Sequence, residues 1–411
     1  MITNILETVF TWIVNVFLKV LIIKKRDETI WLFGSWNGEN YSDNSRYLFE
    51  YVNVNMPQIK AVWITKNQDI KKTLSNENKK CLLSNEPAAL RLRLNAKYVF
   101  FTNGINDIGH YDLCHGAVKI ALWHGMPLKR LYFATNNLRK RNKNIIRFCQ
   151  YIIVKLYNKA QRDITIATSE KTKELLTQSF EVQPDSVYIT GQPRNDVLFD
   201  ISVVRKVKQK LNHKPEEKFV LYMPTWRQFG KYEGFLDNIV TGLNNDNSFL
   251  NSLIDNNVKL YIKPHPRVTI KSGSNKNIIM LGSISDIDPQ ELIASADMLI
   301  TDYSSVFIDF ALLERPLHFF VPDLDNYKND KNGIFLSFND FSDFWVTDLE
   351  ILKSAILNEK PYYEYGIKNC IKVNSVYNDP NLEKGNYSKT VVQSLRNNAE
   401  NNSQLWNLIS G

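Results

Sequence analysis

The sequence predicts an α/β protein in which two parallel sheets face one another across a central cleft, preceded by a membrane-associating helix. Three observations carry that expectation. Short apolar runs recur along the 411 residues, each closed by Gly, Pro or a polar cluster. They are continuous rather than alternating, as in parallel strands buried on both faces. Helical segments lie between several of them, which gives the strand–helix alternation of layered α/β folds with right-handed crossovers. Finally, His124, Arg194, Arg227, His265, Asp302, Ser304 and Ser305 all follow the carboxyl end of an apolar run. Ligands of open α/β sheets bind there.

The runs fall at 29–35, 61–66, 98–104, 119–127, 165–170, 186–194, 219–227, 260–266, 298–305 and 317–321. One helix start is well marked: Asp288 as N-cap, Pro289 at the first helical position and Glu291 at the third. The charged stretch 205–218 separates two sets of strands and puts a domain boundary near 190–215. No internal repeat or low-complexity tract interrupts the chain.

Residues 1–23 are apolar and end in Lys24, Lys25 and Arg26. Their length suits a span of roughly 20 residues. Glu7 and Lys19 interrupt it, and Trp12 groups with Ile5, Val9, Ile13, Val16 and Val20 on one helical face. The stretch reads as an interfacial helix with a basic end, with a true span and a core helix as alternatives. Its lack of a small-residue cleavage site argues against a secretory signal. Fifty-one basic against 43 acidic side chains leave a net charge of +8, a balance suited to nucleic acid, anionic lipid or a phosphorylated substrate. From Asp112 to Asp163 there is no acidic residue between. Arg139, Lys140, Arg141, Lys143 and Arg147 interleave there with Ile145, Ile146, Phe148 and Tyr151, a pattern for anionic lipid rather than for nucleic acid, whose motifs are absent. An ordinary solvated helix face is the alternative. The four scattered cysteines form no CxxC pair and fit a reducing compartment.

The chemistry concentrates in a few stretches. Ser304-Ser305 stands where a strand hands over to a helix, so backbone N–H groups, the helix dipole and two hydroxyls all favour an anion there. Plain capping by one serine is the structural alternative. Lys263-Pro264-His265-Pro266 presents one imidazole rigidly between two prolines. Trp123-His124-Gly125 places a histidine, a good general base near neutrality, beside a glycine that permits a tight turn. His110, His115, His213 and His318 lack such framing and read as structural or surface residues. Arg194 and Arg227 could fork onto phosphate oxygens, or pair with Asp196 or another acid. Asp323-Leu324-Asp325 reads as a solvated loop, and nothing calls for a metal or cofactor.

Five of these stretches, WHGMPLK at 123–129, GQPRND at 191–196, MPTWR at 223–227, KPHP at 263–266 and ITDYSSVFIDFA at 300–311, occur in an order that resembles the CDP-glycerol glycerophosphotransferase family of teichoic acid synthesis. The resemblance covers roughly residues 30–395, with GNYSKTVVQSL at 385–395 similar to the family's end. Met126 and Gln192 depart from its usual pattern. The resemblance implies a GT-B-like architecture: a membrane-associating helix at 1–26, a Rossmann-like acceptor and membrane domain at 27–200, a Rossmann-like donor domain at 201–395 and a tail at 396–411. It implies a peripheral enzyme on the cytoplasmic face of the membrane, with CDP-glycerol as donor and an undecaprenyl-diphosphate-linked saccharide or polymer as acceptor. His124 would be the base and His265 its catalytic companion. Arg194, Thr225, Arg227, Lys263, Asp302, Ser304, Ser305 and Asp309 would hold the donor, with Trp123, Gly125 and Lys129 on the acceptor side. The alternatives are a CDP-ribitol-dependent ribitolphosphotransferase, a GT-B glycosyltransferase using a sugar nucleotide, and a non-catalytic nucleotide- or polymer-binding protein at the membrane.

Overall fold

The computed structural model describes residues 26–135, 161–225, 234–265, 273–282, 287–324 and 340–401, with isolated positions at 14, 145, 148, 149, 151, 152, 155, 268 and 335. The expected N-terminal helix, including Trp12, lies outside the described residues apart from position 14 and Arg26. So do Arg139, Lys140, Arg141, Lys143, Arg147 and Arg227. Arg26, expected at the basic end of that helix, is folded into the protein. It is buried, and its guanidinium donates to the carbonyls of Arg93, at 2.7 Å, and of His115.

The described chain divides into two compact units. The first comprises residues 26–126, 130–196 and 381 onward; the second comprises Pro127–Lys129 and Val197–Pro380. In chain order the first unit is built from β1 (Asp27–Phe33), α1 (Asp43–Asn55), β2 (Lys60–Thr65), α2 (Gln68–Asn76), β3 (Cys81–Leu83), α3 (Pro87–Asn95), β4 (Ala96–Phe101), β5 (Val118–Ala121), β6 (Ile164–Ala167), α4 (Glu170–Phe180) and β7 (Val187–Ile189). The second contains α5 (Ile201–Lys210), β8 (Lys218–Met223), α6 (Phe235–Asn244), α7 (Asn247–Asp255), β9 (Val258–Ile262), β10 (Ile278–Met280), α8 (Pro289–Ser295), β11 (Met298–Thr301), α9 (Val306–Ala311), β12 (Leu317–Phe319), α10 (Leu349–Ile356) and α11 (Tyr362–Tyr377). The chain then returns to the first unit as α12 (Tyr387–Asn401).

Among the described residues every strand pairing within the two sheets is parallel. The first sheet runs β3-β2-β1-β4-β5-β6-β7 and the second β10-β9-β8-β11-β12. Each therefore reverses its winding once, between β1 and β4 and between β8 and β11. Continuous apolar runs are what such strands require, because both faces are covered. In β1, Trp31 and Phe33 face a core that includes Phe49, Trp63 and Phe100, while Ile30 and Leu32 face another with Val62, Ala89 and Phe101. The two strands that the apolar runs did not reveal, β3 and β10, are the outermost strands on one side of each sheet. They are three residues long and only partly buried, so they lack a long apolar signature.

Helix starts follow the local chemistry. The Asp288 carboxylate accepts the Gln290 N–H at 2.9 Å with Pro289 behind it, as the sequence predicts. Ser169 caps α4 in a reciprocal capping box with Thr172. The C-terminal helix departs from the expected division at residue 200: Val391, Val392 and Leu395 of α12 lie in the first unit's core beside Leu48, Phe49 and Val52 of α1. Asp196 caps that helix, accepting the N–H groups of Tyr387 at 2.6 Å and Ser388 at 2.9 Å. Gly191, at φ +70°, makes room for it, since a Cβ there would lie 2.2 Å from the Tyr387 ring. Asp323 is another departure, buried rather than solvated because it accepts the Tyr303 hydroxyl at 2.9 Å.

One buried group makes the second unit sensitive to acid. His318, in the middle of β12, has no solvent exposure and no hydrogen-bond partner at either ring nitrogen among the described residues. Gly366 of α11 lies so close that a Cβ there would stand 2.8 Å from Nε2. Desolvation holds the imidazole down at about 4, against an ordinary 6.5. The unfolded chain therefore binds this proton below 6.5 and the folded chain only below about 4. Stability from this group is intact above 6.5 and declines as pH falls through that window, by about 3 kcal/mol in total. Urea unfolding at a series of pH values should show this acid limb, and His318→Leu should flatten it.

Candidate functional site

In the first unit the turns after β1, β4 and β5 converge around His124. The backbone of Trp123 takes a left-handed φ of +56°, and Gly125 follows at +148°. A left-handed tryptophan is costly, so surrounding bonds must hold it. Asn44, fully buried at the start of α1, supplies them. Its Nδ2 donates to the carbonyls of Leu122 at 3.1 Å and Trp123 at 2.9 Å, and to Gln192 Oε1 at 3.2 Å. Its Oδ1 accepts the Arg194 N–H at 3.1 Å. Arg194, expected on phosphate, directs Nη1 to Asp43 Oδ1 at 3.0 Å and to the His124 carbonyl at 2.9 Å. The GQPRND stretch thus braces the histidine turn and, through Asp196, the last helix.

The imidazole of His124 packs against Trp123 at 4.1 Å and Trp36 at 5.2 Å between ring centroids. Its Nδ1 is buried with no hydrogen-bond partner among the described residues. Burial pushes its pKa below the ordinary 6.5; Asp43 opposes that, Arg194 adds to it, and a hydrogen bond to the Thr102 backbone opposes it. The net effect keeps the ring neutral at neutral pH, the form able to accept a proton.

In the second unit, β9, β8 and β11 lie side by side and end in the expected residues. Asp302, after β11, is buried and clamps the turn after β8. It accepts the Thr225 N–H at 3.0 Å, the Thr225 hydroxyl at 2.8 Å and the Tyr303 N–H at 2.6 Å. Thr301 Oγ1 donates to the Met223 carbonyl at 2.7 Å and ties the same two strand ends. Ser304 and Ser305 follow and are only partly buried. Ser305 makes no side-chain cap, and Ser304 Oγ accepts the Val306 N–H at a long 3.5 Å. Lys263, after β9, is nearly buried and donates to the Gly282 carbonyl at 3.0 Å. Burial lowers its pKa and Asp288 partly restores it. His265, two residues on, is partly exposed, and its carbonyl accepts the Val268 N–H at 2.8 Å.

Asp309 points into the unit instead, accepting from Gln290 Nε2 of α8 at 3.0 Å. Lys129 is half-buried and groups with the second unit, whereas Trp123 and Gly125 belong to the first. Sequence reasoning missed Asp43, Asn44, Thr102 and Asp107. The Asn44–Arg194 contact joins residues 150 apart and leaves no local pattern, so only the fold reveals it.

A family model described as "CDP-Glycerol:Poly(glycerophosphate) glycerophosphotransferase" matches residues 16–393. Among curated proteins, the chain is 28% identical over 398 residues to a teichoic acid poly(glycerol phosphate) polymerase of Bacillus spizizenii (strain ATCC 23059 / NRRL B-14472 / W23), covering 93% of this chain and 96% of that protein. It is 29% identical over 325 residues to a protein of the same description from Bacillus subtilis (strain 168), covering 75% of this chain but only 40% of that longer one. A solved structure of the wall teichoic acid polymerase TagF superposes with a TM-score of 0.74 at 20% identity, covering 98% of this chain and 100% of that one. A variant of that polymerase has also been solved after soaking with CDPG. At such identity the likeness shows the fold, a GT-B-like α/β arrangement of parallel sheets.

The brace around His124 makes a direct test. Asn44→Ala leaves two carbonyls, an amide and a backbone N–H without their partner, and should cost about 2–3 kcal/mol of stability in urea unfolding. Asn44→Asp should cost at least as much, because a carboxylate cannot donate to the two carbonyls.

Proposed function

This chain belongs to the CDP-glycerol:poly(glycerophosphate) glycerophosphotransferase family, and on that premise we propose a reaction and a division of labour for its residues. The protein transfers glycerol phosphate from CDP-glycerol to a hydroxyl of a lipid-linked teichoic acid precursor or growing polymer. The acceptor oxygen attacks the β-phosphorus in line. A new P–O bond forms, the bond from that phosphorus to the bridging oxygen breaks, and its electron pair leaves with CMP. A phosphodiester results. The acceptor's proton passes to His124.

One observation carries this reading. The fold holds a neutral imidazole next to the left-handed Trp123 backbone, near the winding reversal of its sheet, with Asn44, Asp43 and Arg194 devoted to that turn. The charge that develops on the phosphoryl group is the larger problem in such transfers, and fixed cations and N–H groups meet it. Lys263, His265 and the Ser304–Ser305 segment take that part, with Thr225 held by Asp302 and with Arg227 two residues further on.

The acceptor is an undecaprenyl-diphosphate-linked saccharide or polymer, and the protein works from the cytoplasmic face of the membrane. No helix among the described residues is long and apolar enough to cross a bilayer. What supports a surface attachment is the acid-free stretch. There Tyr151 packs inward on Phe133 at 5.5 Å and donates to Glu181 at 2.6 Å, while Ile145, Phe148 and Ile152 leave 72%, 44% and 37% of their surface exposed. These helical positions are spaced three to seven residues apart, amid basic side chains that suit anionic headgroups.

His124→Ala should cut turnover by about 10²–10⁴ with CDP-glycerol binding little changed. The wild-type kcat/KM profile should fall on an acid limb below 6.5, since protonation removes the base. CMP release from CDP-glycerol, with CDP-ribitol and a UDP-sugar as controls, reads both; an unchanged rate in the variant removes His124 from the reaction. Phe148→Asp should weaken co-sedimentation with phosphatidylglycerol vesicles while leaving thermal stability intact, and undiminished binding would dismiss that surface.

A further inference from the structure

The chain leaves β1 through Gly34, Ser35, Trp36 and Asn37. Trp36 and Asn37 both take left-handed φ angles, +48° and +58°. Two such residues in succession are unfavourable and need to be held. The Trp36 N–H donates to Thr102 Oγ1 at 3.2 Å and the Asn37 N–H to Asp107 Oδ1 at 2.6 Å. The other Asp107 oxygen accepts the Thr102 N–H at 2.8 Å, the Thr102 hydroxyl at 3.0 Å and the Asn103 N–H at 2.9 Å. One carboxylate, 1% exposed, therefore ties the turn after β1 to the turn after β4.

This clamp does not bury the tryptophan. Trp36 keeps 37% of its surface in water while its ring lies 5.2 Å from the His124 imidazole at an interplanar angle of 47°. Strain that gains no burial marks a side chain whose placement serves something other than folding. A part-exposed indole on a hydrogen-bonded backbone, beside His124 and at the strand ends where the sheet reverses, is a surface for a ligand to cover.

We infer that Trp36 is a stacking platform for a pyranose ring of the acceptor, presenting one hydroxyl of that ring to His124. The inference rests on the assignment of His124 to the acceptor's proton. A pyranose has a face of C–H groups that matches an indole and a rim of hydroxyls that stays free to react. A polyol phosphate has no flat apolar face and gains nothing there. A nucleobase does have a π-face, and is the competitor that the experiment must exclude.

The test is binding by saturation-transfer NMR, using N,N′-diacetylchitobiose as pyranose probe, glycerol 3-phosphate as ring-free probe and CMP as base probe. Wild-type protein should bind the disaccharide, and Trp36→Ala should weaken it by about three- to tenfold, the worth of one aromatic contact. Trp36→Phe should restore most of that affinity, and all three proteins should bind glycerol 3-phosphate and CMP alike. Absence of disaccharide binding to the wild type, equal binding to Trp36→Ala, or selective loss of CMP would each overturn the inference. Matching thermal melts exclude a folding defect. Turnover separates the two assignments. Trp36-dependent disaccharide binding without CMP release from CDP-glycerol would sink the reaction and leave the platform. CMP release undiminished in Trp36→Ala at low acceptor concentration would sink the platform and leave the reaction.

Discussion

A carboxamide without solvent exposure, Asn44, ties the start of α1 to the turn after β5 and to the Gln192–Arg194 segment. The chemistry of the amide explains the choice of residue. The strand end at Leu122 and Trp123 presents carbonyls that need donors, while the Arg194 N–H needs an acceptor. Only a side chain with both functions satisfies the two within one buried point. The left-handed Trp123 backbone is stable because these bonds surround it, and His124 inherits its position from them. The turns after β1 and β4 meet that histidine through Trp36 and Thr102.

The second unit solves the same problem with a carboxylate. Where a doubly wound sheet reverses, two adjacent strand ends diverge and expose N–H groups that neither strand can satisfy. Asp302 gathers the Thr225 and Tyr303 groups between β8 and β11. Asp107 gathers those of Asn37, Thr102 and Asn103 between β1 and β4. Both are about 1% exposed, and each stands where backbone and hydroxyl donors converge. For Asp107, burial raises the pKa, and the hydrogen bonds from Asn103, Asn37 and Thr102 offset part of that rise.

Much of this was legible in the sequence. The long central strands announce themselves, because a strand covered on both faces must be apolar at every position. His124, His265, Ser304 and Ser305 are visible by their flanking Gly, Pro and strand-end context. The edges β3 and β10 are not, since three half-exposed residues carry no periodic signal. Nor is the role of Arg194. Its fork fits phosphate and carboxylate equally well, and which it meets depends on Asp43, 151 residues earlier. Asp302 was visible as a strand-end residue, but its engagement of Thr225 depends on strand order, which a linear pattern does not encode.

The return of α12 to the first unit has a consequence for how the protein is made. Residues 197–380 form one uninterrupted stretch, so the second unit is complete as soon as it leaves the ribosome. The first unit is not. Its sheet is synthesised early, yet the surface formed by Leu48, Phe49 and Val52 waits for Val391, Val392 and Leu395, and Asp196 waits for Tyr387 and Ser388. During translation the first half carries an open apolar face for the time needed to add nearly 200 residues, about 10–40 s at ordinary elongation rates. The domain begun first is therefore the one finished last, and the newborn chain depends on whatever shields that face in the interval.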